Sequence, residues 1–184
     1  GNLHNGHLSL LKIAKKNSTT SIVTIFVNPL QFGKNEDFDQ YPRTIVKDID
    51  ILKHAGCDIL YLPKNKYEVF DNRFNIDHLH SGKKGNILCG KIRKGHFDGV
   101  LKVVYTLFKL IKPNVAVFGN KDYQQLYLIE NMSNKYFKNL KILRGETIRD
   151  KNGLAFSSRN SYLNKNQMAK APLFYKFLKK GIKL

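Results

Sequence analysis

Short apolar runs alternate with longer amphipathic stretches along this chain. The apolar runs are rich in β-branched residues, which is typical of strands that are buried on both faces of a sheet. Four such runs occur, at 21–27, 58–62, 114–118 and 140–143. The stretches between them have apolar residues every three or four positions, which predicts helices. Strands and helices in alternation predict an α/β fold with a parallel sheet and helices on both of its faces.

The remaining elements follow from turn and stop signals. Helices are predicted over about 6–16, from Pro42 to Gly56, from Phe97 to Ile111 and after Asp122. Asn152-Gly153 predicts a β-hairpin with a tight turn over 147–156. The stretch 64–93 is the least regular, and there we expect a short helix, a weak strand and a glycine-rich loop. A polar loop and one or two further helices complete the chain.

The strongly basic charge does not by itself indicate nucleic-acid binding. The 184 residues carry a net charge of +18, from 26 Lys and 6 Arg against 14 acidic residues. A nucleic-acid surface favours arginine, because its guanidinium makes paired contacts to phosphates and bases. Here lysines dominate and are scattered, and abundant Lys, Asn and Ile are also what A/T-rich codons encode. We therefore interpret only the local part of the charge as functional, at a site for a polyphosphate.

Other features of the composition favour a cytoplasmic protein. The two cysteines, Cys57 and Cys89, are too few for a disulfide scaffold. No apolar run approaches the roughly 20 residues of a membrane-spanning helix, and the start has no signal-peptide pattern. Because Gly1 reads as the middle of a loop and Leu184 closes no element, we expect the chain to be part of a longer one.

Polar clusters follow three of the predicted strands, and one more opens the chain. Right-handed crossovers bring the loops after parallel strands to one edge of the sheet, which is where α/β proteins bind ligands. The clusters are Gly1–His7, Phe26–Phe32, Gly119–Gln125 and Phe156–Asn160.

The first cluster places two imidazoles at the start of a helix. His4 and His7 are three residues apart, and the free backbone N–H groups of a first helical turn attract anions. Gly6 allows a ligand to approach the backbone, and imidazoles can donate hydrogen bonds to phosphate oxygens, more strongly as the cation. Two unrelated surface histidines or a metal pair are the alternatives, although the further ligands of a zinc site are not evident.

The other clusters offer amides, a cation and hydroxyls. Asn28 and Gln31 can hold a polyol or a carboxylate, or can be a turn residue and a solvated amide. Lys121 begins a helix, where a cation is favourable only if it serves an anion, and Asp122 can bind ribose hydroxyls or cap that helix. The segment Ser157–Arg159 fits a phosphate clamp or a polar loop with a cap.

One further segment has two interpretations. Arg93–Val100 places Arg, Lys and His at a helix start. It is either another turn that faces an anion or a helix start with Phe97 packed in the core.

The order of these segments is more specific than any one of them. H-N-G-H, F-V-N-P-L-Q-F, Y-P-R-T, G-H-F-D-G-V, F-G-N-K-D-Y-Q-Q-L and S-S-R-N follow one another along the chain. From Gly1 to about Leu163 the chain resembles the pantoate–β-alanine ligase (pantothenate synthetase) family. The resemblance implies a Rossmann-like sheet of the nucleotidyltransferase type, with a first strand that lies before Gly1. It also implies a Rossmann-like ATP- and pantoate-binding domain at 1–157 and the beginning of a truncated C-terminal lid domain at 158–184.

The resemblance also implies a reaction. Members of the family join (R)-pantoate to β-alanine with ATP and Mg²⁺, through a pantoyl-adenylate, and release AMP and pyrophosphate. The implied partners are these small molecules, with no nucleic acid and no membrane, and the implied assembly is a homodimer. The rival interpretations are another nucleotidylyltransferase with an H-x-G-H sequence and, from a different class, a basic nucleic-acid-binding module.

Site residues are assigned by position from the resemblance. The expected catalytic residues are His4, His7 and Lys121. The expected ATP-binding residues are Gly1, Asn2, Leu3, His4, Asn5, Gly6, His7, Gly119, Asn120, Lys121, Asp122, Ile148, Phe156, Ser157, Ser158 and Arg159. Asn28, Gln31 and Gln125 are expected in the pantoate pocket, and Asp48 is a weaker candidate for the Mg²⁺ region, whose ligands stay open.

A few positions depart from the family pattern. Asn5, Asn120 and Phe156 stand where Glu, Glu and Met are usual. Cys89 and Lys94 depart from it in a segment expected to form a flexible wall of the site.

Overall fold

The computed structural model describes residues 1–70 and 74–182 of this chain. Its first half contains α1 (Asn5–Asn17), β1 (Ile22–Thr24), α2 (Ile45–His54), β2 (Ile59–Tyr61), α3 (Lys66–Val69), α4 (Gly82–Gly85) and α5 (Cys89–Ile92). Its second half contains α6 (His96–Ile111), β3 (Val115–Gly119), α7 (Tyr123–Tyr136), β4 (Lys141–Gly145) and α8 (Lys165–Gly181). Short 3-10 turns occupy Pro29–Gln31, Asn120–Asp122 and Ser158–Tyr162.

The strands form two parallel pairs. β1 pairs with β2, with Ile22 opposite Ile59, and β3 pairs with β4, with Val115 opposite Lys141. Among the described residues the two pairs are separate two-stranded sheets. A groove of about 820 Å³ lies between them, and residues of both β1 and β3 line it.

The larger hydrophobic core is built around α6 and α7. Ile129 and Leu128 of α7 are 0% and 6% exposed, and Phe97 and Val100 of α6 are also buried. Each helix presents apolar residues at helical spacing to this core, and burial of such side chains is the main favourable term in folding. A smaller core lies under α1 and α2 and contains Leu11, Ile25 and Leu52.

The predicted helices and the four strands expected from the apolar runs are present, with changed boundaries. All four expected strands lie inside or within two residues of their apolar runs, although β1 is regular for only three residues and ends three residues before its run does. The hairpin around Asn152-Gly153 is a tight turn, with an antiparallel bridge between Arg149 and Ala155. For Arg93–Val100, one interpretation is a helix start with Phe97 packed in the core. Phe97 is buried, which confirms its packing in the core.

One expected element is missing from the described part of its segment. The weak strand expected within 64–93 does not occur at 64–70 or 74–93, where the regular elements are α3, α4 and α5. Side chains take up backbone groups there instead: the Asp98 carboxylate accepts a hydrogen bond from the Ser81 N–H at 2.7 Å. Such a side-chain bond satisfies a backbone group that a strand ladder would otherwise pair. Residues 71–73 of the same stretch lie outside the described residues.

The last helix packs on the hairpin. The Arg149 guanidinium lies 3.6 Å from the centroid of the Tyr175 ring of α8, a cation–π contact. Most of the large apolar side chains of α8, including Phe174 and Phe177, are exposed. The boundary at 157/158 between two domains stays a prediction. Of the described helices, none has the length and apolar character needed to cross a bilayer.

Gly99 allows the turn at Pro29–Gln31 to dock on α6. A Cβ at this position would lie 2.1 Å from the Leu30 carbonyl oxygen and 2.8 Å from the Gln31 nitrogen. The close approach also lets the Asn28 Nδ2 donate a hydrogen bond to the Gly99 carbonyl at 3.0 Å.

We predict that Gly99→Ala lowers the free energy of unfolding by about 1–3 kcal/mol, because the added methyl group overpacks this contact. Urea denaturation measures the change. Gly181→Ala is the matched control, because a Cβ there meets no atom within 4 Å. Equal stability of the two variants would contradict the assigned role of Gly99.

Candidate active site

Four polar segments meet at the carboxyl ends of β1 and β3. Asn28 and the turn at Pro29–Gln31 follow β1, and the turn at Asn120–Asp122 follows β3 directly. The segment Ser157–Arg159 joins the start of the chain, because the Asn2 Nδ2 donates to the Ser158 carbonyl at 3.1 Å. The structure therefore brings the predicted clusters to one edge, as parallel topology requires.

The two imidazoles stack on one another at the N-terminus of α1. The rings of His4 and His7 have centroids 3.9 Å apart and an interplanar angle of 28°. The backbone N–H of His4 donates to the His7 Nδ1 at 3.3 Å. Since a backbone N–H can only donate, Nδ1 of His7 is the acceptor and its Nε2 carries the proton. His7 thus offers an Nε2–H donor.

Gly6 is required by the histidine pair itself. A Cβ at Gly6 would lie 2.9 Å from the Cε1 atom of His4. The ring of Phe156 also packs near His4, with centroids 6.0 Å apart. The absence of a side chain at position 6 therefore makes room for the His4 ring. This role of Gly6 differs from the expected one, which is to let a ligand approach the backbone.

Both imidazoles favour the neutral form. Burial lowers the pKa of His7 from 6.5 to about 4, and the nearby positive charges of His4 and Lys121 act in the same direction. Burial, and then the Lys121 charge, also lower the pKa of His4. In the chain without a bound anion, His7 is therefore a neutral donor near neutral pH, and stronger donation by imidazolium beside a polyphosphate stays a prediction.

Lys121 shares the environment of the two histidines, because its charge acts on the pKa of each. Its ammonium lies 3.6 Å from the Asp122 carboxylate, and both side chains are exposed.

Within the part of the chain that the structure describes, Asn120 Oδ1 and His4 Nδ1 are buried without a hydrogen-bond partner. Buried polar atoms normally have partners, so Asn120 Oδ1, which follows β3, is free to accept a hydrogen bond from a polar ligand. Gly119 closes β3 beside Asn120, opposite Gly145.

Asp48 holds the loop that precedes α1. It is 0% exposed, its Oδ2 accepts from the Asn2 N–H at 2.9 Å and its Oδ1 from the Leu3 N–H at 2.7 Å. Thr44 Oγ1 donates to Oδ1 at 3.1 Å. Asn2 has φ 58°, a left-handed conformation that few residues other than glycine adopt. The carboxylate therefore fixes a strained backbone immediately before His4.

The side chain of Asn28 makes its hydrogen bonds to other groups of the protein. It is 1% exposed, and besides the Gly99 carbonyl its Nδ2 reaches the Gln31 Oε1 at 3.3 Å. Its Oδ1 accepts from the Leu30 N–H at 3.1 Å. Asn28 thus shapes the turn and fixes the oxygen end of the Gln31 amide, which leaves the Gln31 Nε2 as a donor.

The segment Ser157–Arg159 is anchored to the start of the chain. Ser158 is buried, and its hydroxyl reaches the carbonyls of Gly1 and Asn2 at 3.3 and 3.2 Å. Ser157 Oγ accepts from the Arg159 N–H at 3.3 Å. The Ile148 carbonyl, expected near an adenine, accepts from the Phe156 N–H at 3.0 Å. Ser158 is therefore a structural bridge, and Arg159 is the cation that this segment presents.

The wall at 82–92 is held by a residue that the sequence argument did not single out. Gln124 donates from Nε2 to the carbonyls of Lys84 and Ile87 at 2.9 and 2.8 Å and accepts from the Cys89 N–H at 3.1 Å. A second glutamine beside Gln125 is the only signal that could have found it. Gln125, expected in the pantoate pocket, is half-buried in the first turn of α7.

No protein-held metal centre is evident. Among residues 1–70 and 74–182, no group of three His, Cys, Asp or Glu side chains is arranged to hold a metal ion. The Asp48 carboxylate is occupied by two backbone N–H groups and a hydroxyl. The described residues therefore do not fit a resident Mg²⁺ site.

Comparison with known proteins identifies the family. The family model described as pantoate-beta-alanine ligase matches residues 1–183. A pantothenate synthetase from Thiobacillus denitrificans is 47% identical over 174 residues, which are 94% of this chain and 60% of that protein. One from Bacillus pumilus is 46% identical over 181 residues, 98% of this chain and 62% of that protein. The chain thus spans less than two thirds of the length of these relatives.

Solved structures agree with this similarity. A pantothenate synthetase from Thermus thermophilus superposes with a TM-score of 0.90 at 39% identity, over 96% of this chain and 63% of that one. A pantoate-beta-alanine ligase from Francisella tularensis, solved in complex with beta-gamma ATP and beta-alanine, gives a TM-score of 0.84 at 40% identity, over 97% of this chain and 68% of that one. The expected α/β fold is confirmed.

We predict that Asp48→Asn lowers the free energy of unfolding by about 1–3 kcal/mol, because an amide cannot accept from both backbone N–H groups as the carboxylate does. Asp50→Asn is the control, since Asp50 is exposed on the same helix. It should change stability by less than about 0.5 kcal/mol. Urea denaturation compares the two variants, and equal losses would contradict the role of Asp48.

We also predict a pH dependence that comes from His7. Its folded pKa of about 4 lies below its ordinary value of 6.5. Between these values the unfolded chain binds a proton that the folded chain excludes, so stability falls as the pH is lowered through this window. His7→Gln should remove this part of the dependence. Imidazole NMR titration of the wild type measures the pKa directly, and a His7 midpoint near 6.5 would contradict the assignment.

Proposed function

Because this chain belongs to the pantoate–β-alanine ligase family, we propose that the full-length protein joins pantoate to β-alanine at the expense of ATP. The observation that carries the proposal is the shared environment of the stacked imidazoles and Lys121 at the N-terminus of α1. Neutral N–H donors, a helix N-terminus and a lysine in one place are suited to a polyphosphate. The Francisella relative's complex with ATP and β-alanine supports the same substrates.

The first step is adenylation. A carboxylate oxygen of pantoate attacks the α-phosphorus of ATP, the new P–O bond forms, and the bond to the β-phosphate oxygen breaks to release pyrophosphate. Lys121 stabilises the charge that builds up on the α-phosphate, and the Nε2–H of His7 donates to a phosphate oxygen. His4 lies stacked on His7, where it contacts the same phosphates.

The second step is amide formation. The amine of β-alanine attacks the acyl carbon, the C–N bond forms, and the bond from that carbon to the phosphate oxygen breaks to release AMP. The amine loses a proton in this step. Acyl transfer from a phosphate needs no nucleophilic side chain, because AMP is already a good leaving group.

The remaining residues bind and orient the substrates. The Gln31 Nε2 donates to pantoate, while Asn28 holds the oxygen end of the Gln31 amide, and Gln125 closes the pocket from α7. Arg159, Ser157 and backbone groups of the same segment hold the phosphates. Gly119 and Asp122 hold the ribose, and the backbone at Ile148 lies near the adenine. Mg²⁺ enters with ATP, as part of that substrate.

The groove between the two strand pairs indicates how the sheet is completed in the full-length protein. It runs beside β1 and β3, the strands whose carboxyl ends carry the site. We infer that a further strand of the full-length protein pairs in it and joins the two pairs into one Rossmann-like sheet. The lid domain after residue 157, the homodimer and the cytoplasmic location stay predictions.

Pyrophosphate exchange in the full-length protein tests the proposed function. Labelled pyrophosphate should exchange into ATP only when pantoate is present, and the amide should form only after β-alanine is added. Exchange without pantoate would instead favour a nucleotidylyltransferase, and tight, steeply salt-dependent RNA or DNA binding without exchange would favour the nucleic-acid module.

Lys121→Ala should reduce the exchange rate by about 100-fold or more, as expected when one donor to a developing negative charge is lost. Its folding should change little, because the side chain is exposed. Lys138→Ala is the matched control, since Lys138 is exposed and follows the opposite end of α7. A normal exchange rate in Lys121→Ala would remove Lys121 from the mechanism.

A further inference from the structure

Two consecutive acids in the loop after Gln31 pair with two different arginines. We call residues 33–41 the strap. Glu36 accepts from Arg93 Nε at 2.7 Å and from Arg93 Nη2 at 2.6 Å. Asp37 accepts from Arg159 Nε at 2.8 Å and from Arg159 Nη2 at 2.7 Å. Paired N–H···O bonds of this kind fix the plane of a guanidinium as well as its position.

Both carboxylates of these pairs are partly buried. The Glu36 and Asp37 side chains are 24% and 23% exposed. Arg93 lowers the pKa of Glu36, and Arg159, with the Tyr162 hydroxyl, lowers the pKa of Asp37 to about 2. Both acids are therefore ionised near neutral pH, and the strap is tied at adjacent positions to the turn before α6 and to the segment Ser157–Arg159.

The Glu36 pair leads to the backbone of Gln31. Arg93 Nη2 donates to the Gln31 carbonyl at 3.3 Å, and Arg93 Nη1 donates to the His96 Nε2 at 2.9 Å. Since that Nε2 accepts, the His96 Nδ1 carries the proton and donates to the same Gln31 carbonyl at 2.7 Å. Glu36 thus holds the guanidinium that, with His96, fixes residue 31.

The Asp37 pair fixes the guanidinium of Arg159. Its carboxylate takes the Nε and Nη2 nitrogens and leaves Nη1 outside the pair. The guanidinium also lies 5.1 Å from the centroid of the Tyr41 ring and 5.9 Å from that of Phe32. Tyr162 donates its hydroxyl to the Asp37 Oδ2 at 2.9 Å. The guanidinium is thus held along one edge and against aromatic rings, with Nη1 available to a phosphate.

We propose that Glu36 and Asp37 are positioning residues that act on different substrates: Glu36 orients Gln31 toward pantoate, and Asp37 orients Arg159 toward the phosphates of ATP. This inference rests on the proposed function. Because the two acids are adjacent in the strap yet hold different groups, their removal has separable effects on the two substrates.

The test is a crossed comparison of Michaelis constants in the full-length protein. Glu36→Gln should raise the KM for pantoate about tenfold and leave the KM for ATP within about twofold, and Asp37→Asn should do the reverse, since each loses one charge-assisted pair. Asp37→Glu, which restores the carboxylate, should recover part of the ATP effect. Asp39→Asn is the control, because Asp39 is an exposed acid in the same strap.

The possible outcomes separate this inference from the proposed function. The crossed pattern, with an unaffected Asp39→Asn, supports the inference. Equal rises of both constants in both variants would indicate a merely structural loop and overturn it, as would unchanged constants in an active protein. A wild-type protein without pantoate-dependent exchange would overturn the proposed function, and the inference with it.

Discussion

The hydrogen bonds from the backbone before α1 to the Asp48 carboxylate determine where the histidine pair lies. One buried carboxylate accepts hydrogen bonds from two consecutive N–H groups, those of Asn2 and Leu3. Since Asn2 has a positive φ, this backbone would be unfavourable without such partners. Ser158 secures the same residues from the other side. The capping position of His4 and the stacking of His7 follow from a loop that is fixed before the helix begins.

In the rest of the site, too, polar side chains position other groups. Two polar side chains that the sequence assigned to a ligand position other groups instead: Asn28 fixes Gln31, and Ser158 fixes the first residues. Gln124, which the sequence did not single out, fixes the wall. The groups left to meet substrates are few. They are neutral imidazole and amide donors together with the cations of Lys121 and Arg159. This combination suits a triphosphate beside a small polar acid, because fixed donors stabilise developing charge without reorganising.

Much of this could be predicted from the sequence, for physical reasons. The four apolar runs predicted the strands because a strand buried on both faces has few polar positions. The expected burial on both faces is not observed, since no residue of β1, β2 or β3 is fully buried. The polar residues after these runs predicted one site because parallel strands end at one edge. The roles of Asp48 and Asp37 could not be predicted, since their partners lie 46 and 122 positions away and any acid in a basic chain has many possible cations. The division into two strand pairs was missed because apolar runs do not reveal which strands are neighbours.

The most direct test of the converging site is an NMR titration of the full-length protein with a non-hydrolysable ATP analogue and Mg²⁺. The account predicts that the imidazole signals of His4 and His7, the Lys121 ammonium and the Arg159 guanidinium shift together, with one midpoint. Shifts spread over exposed lysines, with both imidazole signals unchanged, would contradict a shared phosphate site at the N-terminus of α1.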